Sequence, residues 1–160
     1  MIETLIEKVK INQWANSLFR EHLKDKFDEL KTLETPYGNF GELVYHISGA
    51  VYFWFKRFGK FDFEIKRMNE ITSTHELFSQ WEVIDQKFVE FISSVDDSES
   101  RQKLSYITSK GKKFEIELDK IVLQLNNHSY YHRGQIAYFS RLNGIFLPQT
   151  DALVFFRTNG

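Results

Sequence analysis

Leu5, Val9, Asn12, Asn16, Phe19 and Leu23 recur at spacings of three and four and predict a helix over residues 2 to 27. That stripe is apolar at both ends and carries two asparagines in its middle. A loop follows, with TPYGN at 35 to 39 as its breaker. Asn39 then opens a second helix, because its side chain can cap the first turn and Glu42 stands at the capping-box position three residues on. Leu43, His46, Ile47, Ala50, Trp54 and Phe58 form one stripe, and this helix should end near Gly59. Residues 59 to 72 show no clean period and read as a linker. Ser73 with Glu76 offers another capping box, ahead of a third amphipathic stripe of Leu77, Trp81, Ile84, Phe88, Phe91 and Val95. SVDDSES at 94 to 100 ends that helix as a solvent-exposed loop.

The period then changes. Leu104, Tyr106 and Thr108 alternate, as do Phe114, Ile116 and Leu118, around Lys110-Gly111, which predicts a short β-hairpin. From about Leu118 the helical period returns through Ile121, Val122, Leu125, His128, His132, Gln135, Phe139 and Leu142, and Asn143-Gly144 signals its C-cap. In the tail, Asp151 is placed to cap a short last turn. Four amphipathic helices and one hairpin make an all-α fold, a four-helix bundle with a small β appendage in a single domain over 1 to 160. The long connections allow an order other than up-down-up-down.

Composition narrows the function. The chain has 160 residues, 42% of them hydrophobic, and a formal charge of −1, so no basic face for nucleic acid is implied. The densest basic run, Lys56 to Arg67, sets five cations against Asp62 and Glu64 and reads as a solvated loop. Cysteine is absent, which removes thiolate ligands, thiol nucleophiles and disulfides together. The charged N-terminus is no signal peptide, and no apolar run reaches the roughly 20 residues of a membrane span. A complete cytoplasmic protein is therefore expected. Aromatic residues reach 16%, more than one small core readily hides, which points to a homodimer through an outer helix face and the tail.

The chemistry concentrates on histidine. His128 and His132 lie one turn apart on the same stripe as Leu125 and Phe139, at a spacing that sets Cβ atoms about 5–6 Å apart. His46 occupies the core stripe of the second helix. A buried imidazole left without a partner costs on the order of 1–3 kcal/mol, and one divalent metal would satisfy three at once. The pair lacks the Glu that follows the first histidine of the zinc proteases, since Ser129, Tyr130 and Tyr131 stand between. Three neutral nitrogen ligands leave open positions, as in a catalytic metal site. His22 and His75, near helix ends, are read as surface residues.

The segment HSYYHRGQIAYFSRLNG resembles the H-x-x-x-H-R-G-Q signature of the DinB/YfiT-like superfamily. ELVYHISGAVYFW is similar to the segment that supplies that family's first histidine, YITSKGKKFEIEL to its hairpin, and LPQTDALVFF to its tail. The resemblance covers nearly the whole chain and is weakest over residues 56 to 72. It implies an up-down-down-up bundle with a three-histidine site near its mouth, here His46, His128 and His132, binding a divalent metal, often zinc or nickel. It also implies a bacterial protein and a metal-dependent transferase joining a low-molecular-weight thiol to a second small molecule. A related hydrolase is the neighbouring possibility, and a non-catalytic metal-binding or ligand-binding bundle is the alternative class.

Around the histidines, Gln135 shares the metal face and is placed to orient a ligand or water. Asn12, Asn16, Tyr52 and Tyr131 are candidates to line the pocket. Arg133 points about 100° away from His132, which gives it a rim or structural role, and Ser129 is equally off the metal face. Gly134, costly in mid-helix, is expected where a neighbouring helix comes close. Glu42 is committed to its cap, so no carboxylate falls on the metal face.

Overall fold

The structure is a computed structural model that describes residues 2–36 and 38–159. Its elements in chain order are α1 (Ile2–Leu23), a single turn α2 (Phe27–Leu30), the strand pair β1 (Glu34–Thr35) and β2 (Gly38–Asn39), α3 (Phe40–Arg57), α4 (Thr74–Ser93), the hairpin β3 (Lys103–Ile107) and β4 (Lys113–Glu117), α5 (Leu118–Leu142) and α6 (Ala152–Asn159).

Most boundaries follow local chemistry. Asn39 Oδ1 accepts from the Glu42 amide at 2.9 Å and Glu42 Oε2 accepts from the Asn39 amide at 2.9 Å, a complete capping box. At Ser73 only half of the expected box forms. Ser73 Oγ accepts from the Glu76 amide, but the Glu76 carboxylate takes the Thr72 amide and pairs with Lys66. The third helix is thereby tied back to the preceding linker. Gly59 adopts φ +65 after α3, which lets the Lys60 amide reach back to the Phe55 carbonyl at 2.9 Å. The expected hairpin forms, and its register sets Leu104 opposite Ile116 and Tyr106 opposite Phe114.

Three expectations change. The first helix stops at Leu23, not 27, because the chain bends to drive Phe27 into the core against Phe40 and Phe78, at centroid distances of 6.1 and 5.2 Å. The loop around TPYGN is pinched by the β1–β2 pair, while Tyr37 itself lies outside the described residues. Residues 59–72 are not a free linker: Phe61 is buried, and Tyr52 Oη donates to the Phe63 carbonyl at 2.9 Å.

Helices α1 and α3 each border both α4 and α5, so α1 sits diagonally across the bundle from α3 and α4 from α5. Their directions follow from pairs of contacts. Asn12 meets Ser129 and Asn16 meets Arg133, so α1 and α5 run parallel. The start of α1 reaches Asp97 while Arg20 reaches Asp85, so α4 runs opposite to α1. Phe40 lies near Phe78 through Phe27, whereas Phe55 meets Phe88 at 5.2 Å, so α3 and α4 are parallel. The order is up-down-down-up.

The apolar core has two halves. One gathers Val9, Phe55, Ile84, Phe88, Ile92 and Ile121; the other gathers Phe19, Leu23, Phe40, Ile47, Trp81 and Ile136. Between them lie the buried polar side chains Asn12, Asn16, Arg20, Asp85, Ser129 and Arg133.

Candidate metal centre

His46 comes from the middle of α3 and His128 and His132 from successive turns of α5. Because α3 and α5 are adjacent and antiparallel, the three rings meet at one level. His128 Nε2 stands 2.9 Å from His46 Nε2 and 3.1 Å from His132 Nε2. Ligand nitrogens of all three lie within 4.8 Å of one another. Burial is graded: His132 is buried, His128 half-buried and His46 exposed. The expectation that His46 faces the core is therefore corrected. The residue sits at the edge of the buried stripe, and its ring turns sideways across the α3–α5 seam.

Hydrogen bonding selects a tautomer. His132 Nδ1 donates to Gln135 Oε1 at 2.7 Å, which leaves the lone pair of Nε2 aimed at the other two rings. Burial, reinforced by the facing His132 and His46 rings, lowers the His128 imidazole to about 4. Burial and His132 likewise lower His46. His46 and His128 are thus biased to the neutral, ligand-competent form at neutral pH.

The donor set fits a metal. One proton on His128 Nε2 can serve only one of its two facing nitrogens, whereas one cation at their centre serves all three. Nitrogens at about 2.0–2.1 Å from a tetrahedral centre stand about 3.3–3.4 Å apart. The observed 2.9 and 3.1 Å come within a few tenths of an ångström of that spacing. Among the described residues no carboxylate joins the cluster.

The other sequence-flagged residues divide. Gln135 holds His132, and the exposed Tyr131 sets its ring 5.1 Å from the His132 ring. Tyr52 is turned away, its hydroxyl near Phe63 and Glu64. Asn12 and Asn16 lie on the other side of α5, inside the bundle, with amide oxygens 2.5 and 2.7 Å from Arg133 Nη1. Asn16 Nδ2 donates to Asp85 Oδ1 at 3.0 Å, and Arg20 Nη1 donates to Asp85 Oδ2 at 2.6 Å. A chain of polar groups therefore joins α1, α4 and α5 directly behind the histidines.

Arg133 takes the structural one of its two expected roles, inside the bundle and not at the rim. It is 2% exposed, its guanidinium lies 4.7 Å from the Tyr130 ring centroid, and burial lowers it to about 10, so it stays charged at neutral pH. The available signal was the polar series Asn12, Asn16 and Arg20 on a core stripe, which called for buried partners. Gly134, by contrast, meets nothing: a Cβ there would find no atom within 4 Å. The expected close helix approach is absent from the described residues. Leu142, placed on the inward stripe by its spacing, is 64% exposed because α5 outruns its neighbours.

Comparison with known proteins agrees with this fold. The sequence profile of the DinB family matches residues 1–159. A DinB-like protein from Bacillus cereus superposes with a TM-score of 0.64 at 18% identity, covering 92% of this chain and 93% of that one. YfiT from Bacillus subtilis, described as a probable metal-dependent hydrolase with an unusual four-helix bundle topology, gives a TM-score of 0.67 at 12% identity over 89% of each chain. No curated protein gives a significant match by sequence.

Proposed function

The chain belongs to the DinB family, and we propose that it is a single-domain, divalent-metal-dependent enzyme acting on a small molecule, with His46, His128 and His132 as the metal's protein ligands. The observation that carries this reading is the convergence of three ring nitrogens from two helices at one exposed seam. A divalent ion there, zinc or nickel, supplies Lewis-acid activation of a thiol or of water. Transfer to or from a low-molecular-weight thiol is favoured over hydrolysis. Among the described residues no carboxylate stands at the cluster to act as a general base for water, whereas a thiol ionises readily beside a cation. Gln135 fixes the ring of His132, His46 guards the open side, and the apolar residues beside them exclude bulk water from part of the site.

Ser129 does not compete as a nucleophile. It is fully buried, with Asn12 Nδ2 3.5 Å from its hydroxyl, on the far side of α5 from the histidine cluster. A homodimer is part of the same reading. Tyr131, Tyr138 and Leu142 form an exposed stripe on α5, and Phe146, Leu153 and Phe156 add exposed apolar surface in the tail. Among the described residues no helix is long and apolar enough to cross a membrane, and the cysteine-free chain suits the cytoplasm.

The test is metal stoichiometry. His132→Ala is expected to abolish stoichiometric zinc or nickel while helical circular dichroism persists, because the two apolar halves hold the bundle. Thiol conjugation should vanish with chelator, return with a divalent ion and survive Ser129→Ala within about tenfold. Turnover by metal-free protein would overturn the assignment.

A further inference from the structure

A groove of about 230 Å³ leads away from the histidines along the seam of α3 and α5. His46 and His128 close one end and Arg57 stands at the other. Ala50, Phe53, Trp54 and Leu125 form its apolar walls, and Gln124 supplies a neutral amide. The α3 contributions fall at 46, 50, 53, 54 and 57, spacings that keep one face of a helix in line. The rise from His46 to Arg57 is about 16 Å, and helical side chains lean toward the N-terminus, which brings the Arg57 head back toward the histidines.

The charge of this groove is one-sided. Its lining includes no Asp or Glu. Neighbouring Lys56 is taken up by Glu64 at 2.6 Å, but among the described residues Arg57 has no carboxylate partner. Its guanidinium lies 5.5 Å from the centroid of the Trp54 ring, and that ring is fixed in turn by Tyr106 of the hairpin at 5.1 Å and Phe58 at 5.7 Å. A guanidinium stacked on an indole keeps its outer edge free for a bidentate anion. Phe53 is half open to solvent at the same place.

We propose that this groove binds a small amphipathic anion, its carboxylate or phosphate on Arg57, its apolar body on Trp54 and Phe53, and its opposite end at the three histidines. The proposal rests on the metal-centre reading only for what happens at that far end. Arg57 is the specificity residue, selecting anionic over neutral molecules of the same shape. The closed apolar length sets the size, a body of roughly one aromatic ring with a two- or three-carbon arm, since pockets for larger ligands run above about 300 Å³.

The experiment measures binding of three probes, 3-phenylpropionate, phenyl phosphate and neutral 3-phenylpropanol, by ligand-observed NMR and calorimetry, on zinc-loaded and on chelator-treated protein. Both anions are expected to bind the metal-free protein at least tenfold more tightly than the alcohol, and the tighter of the two names the headgroup. Arg57→Gln should remove that preference and leave alcohol binding unchanged, while Arg57→Lys should restore part of it. Equal binding of anion and alcohol, an Arg57→Gln variant that keeps the preference, or no binding by any probe at millimolar concentration would each overturn the proposal. Loss of stoichiometric metal in the wild type would strike the metal reading and leave these results standing.

Discussion

Gln135 lies three residues beyond His132, and its Oε1 accepts the His132 Nδ1 proton at 2.7 Å. A side chain that gives the cluster no ligand atom thus decides which nitrogen of the deepest histidine is offered to a metal. Gln135→Leu keeps the helix and much of the volume but removes the acceptor. Zinc affinity, read by competition with a chelating dye, should fall by about 10- to 100-fold with circular dichroism unchanged. A change under twofold would mean that packing alone orients the ring.

The buried ions make an ordered pair of predictions. Asp85 lies among Arg20, Asn16 and the charge of Arg133. Asp85→Ala strands two buried guanidinium groups and should cost about 3–5 kcal/mol in urea unfolding. Arg133→Met removes one cation from a site that holds two against a single carboxylate. It leaves two amide oxygens without their donor, for about 1–3 kcal/mol. If the methionine variant proves the less stable of the two, the charge balance assigned to this network is wrong.

A pH dependence follows from the same carboxyl. Burial pushes Asp85 up to about 6 from its ordinary 3.8, and the Arg20 pair offsets only part of that cost. The folded state therefore holds this proton more tightly than the unfolded state. Its contribution is greatest below about pH 4, declines as pH rises to about 6, and is level above. Asp85→Asn lacks the proton and the slope. The stability of wild type minus that of Asp85→Asn, both in chelator, should fall between pH 4 and 6 by up to about 3 kcal/mol. A rising difference would contradict the sign.

Gly134 offers a test in the stabilising direction. Its helix is regular and no atom lies near a Cβ placed there. Gly134→Ala should raise stability by about 0.5–1 kcal/mol, seen as a melting temperature about 1–4 °C higher. Destabilisation would place a second chain against this exposed helix face, which light scattering on the same variant would reveal.

Much of the molecule is legible in its one-dimensional pattern, and the residues that are not share one cause. The Asn39–Glu42 cap, the Lys110-Gly111 hairpin and the Asn143-Gly144 stop are each settled within a few residues of chain, so local chemistry suffices. His128 and His132 are legible because both lie on one face of one helix. Arg133 is not, because a wheel assumes one buried face. α5 packs on α1 and on α3, so its buried arc takes in His132 and the residue about 100° beyond it. His46 errs the other way: its stripe is right, and its exposure depends on how far α5 overlaps α3. That relation joins His46 to His128, 82 positions away. The half-formed box at Ser73 belongs with these, since Lys66 draws the Glu76 carboxylate toward the linker.

The polar layer between the two apolar halves has a consequence for how the bundle assembles. Apolar stripes of Leu, Ile and Phe are nearly self-similar after one turn, so greasy helices can slide past each other by about 5.4 Å at modest cost. Asn12, Asn16, Asp85 and Arg133 cannot. A one-turn slip of α1 or α4 would carry its partner away from the buried guanidinium and leave that charge among hydrocarbon. The layer acts as a key cut for a single position. Helices collapsed in the wrong alignment are left uncompensated, so α1, α4 and α5 settle in the one alignment that completes this layer and sets the level at which α5 presents His128 and His132.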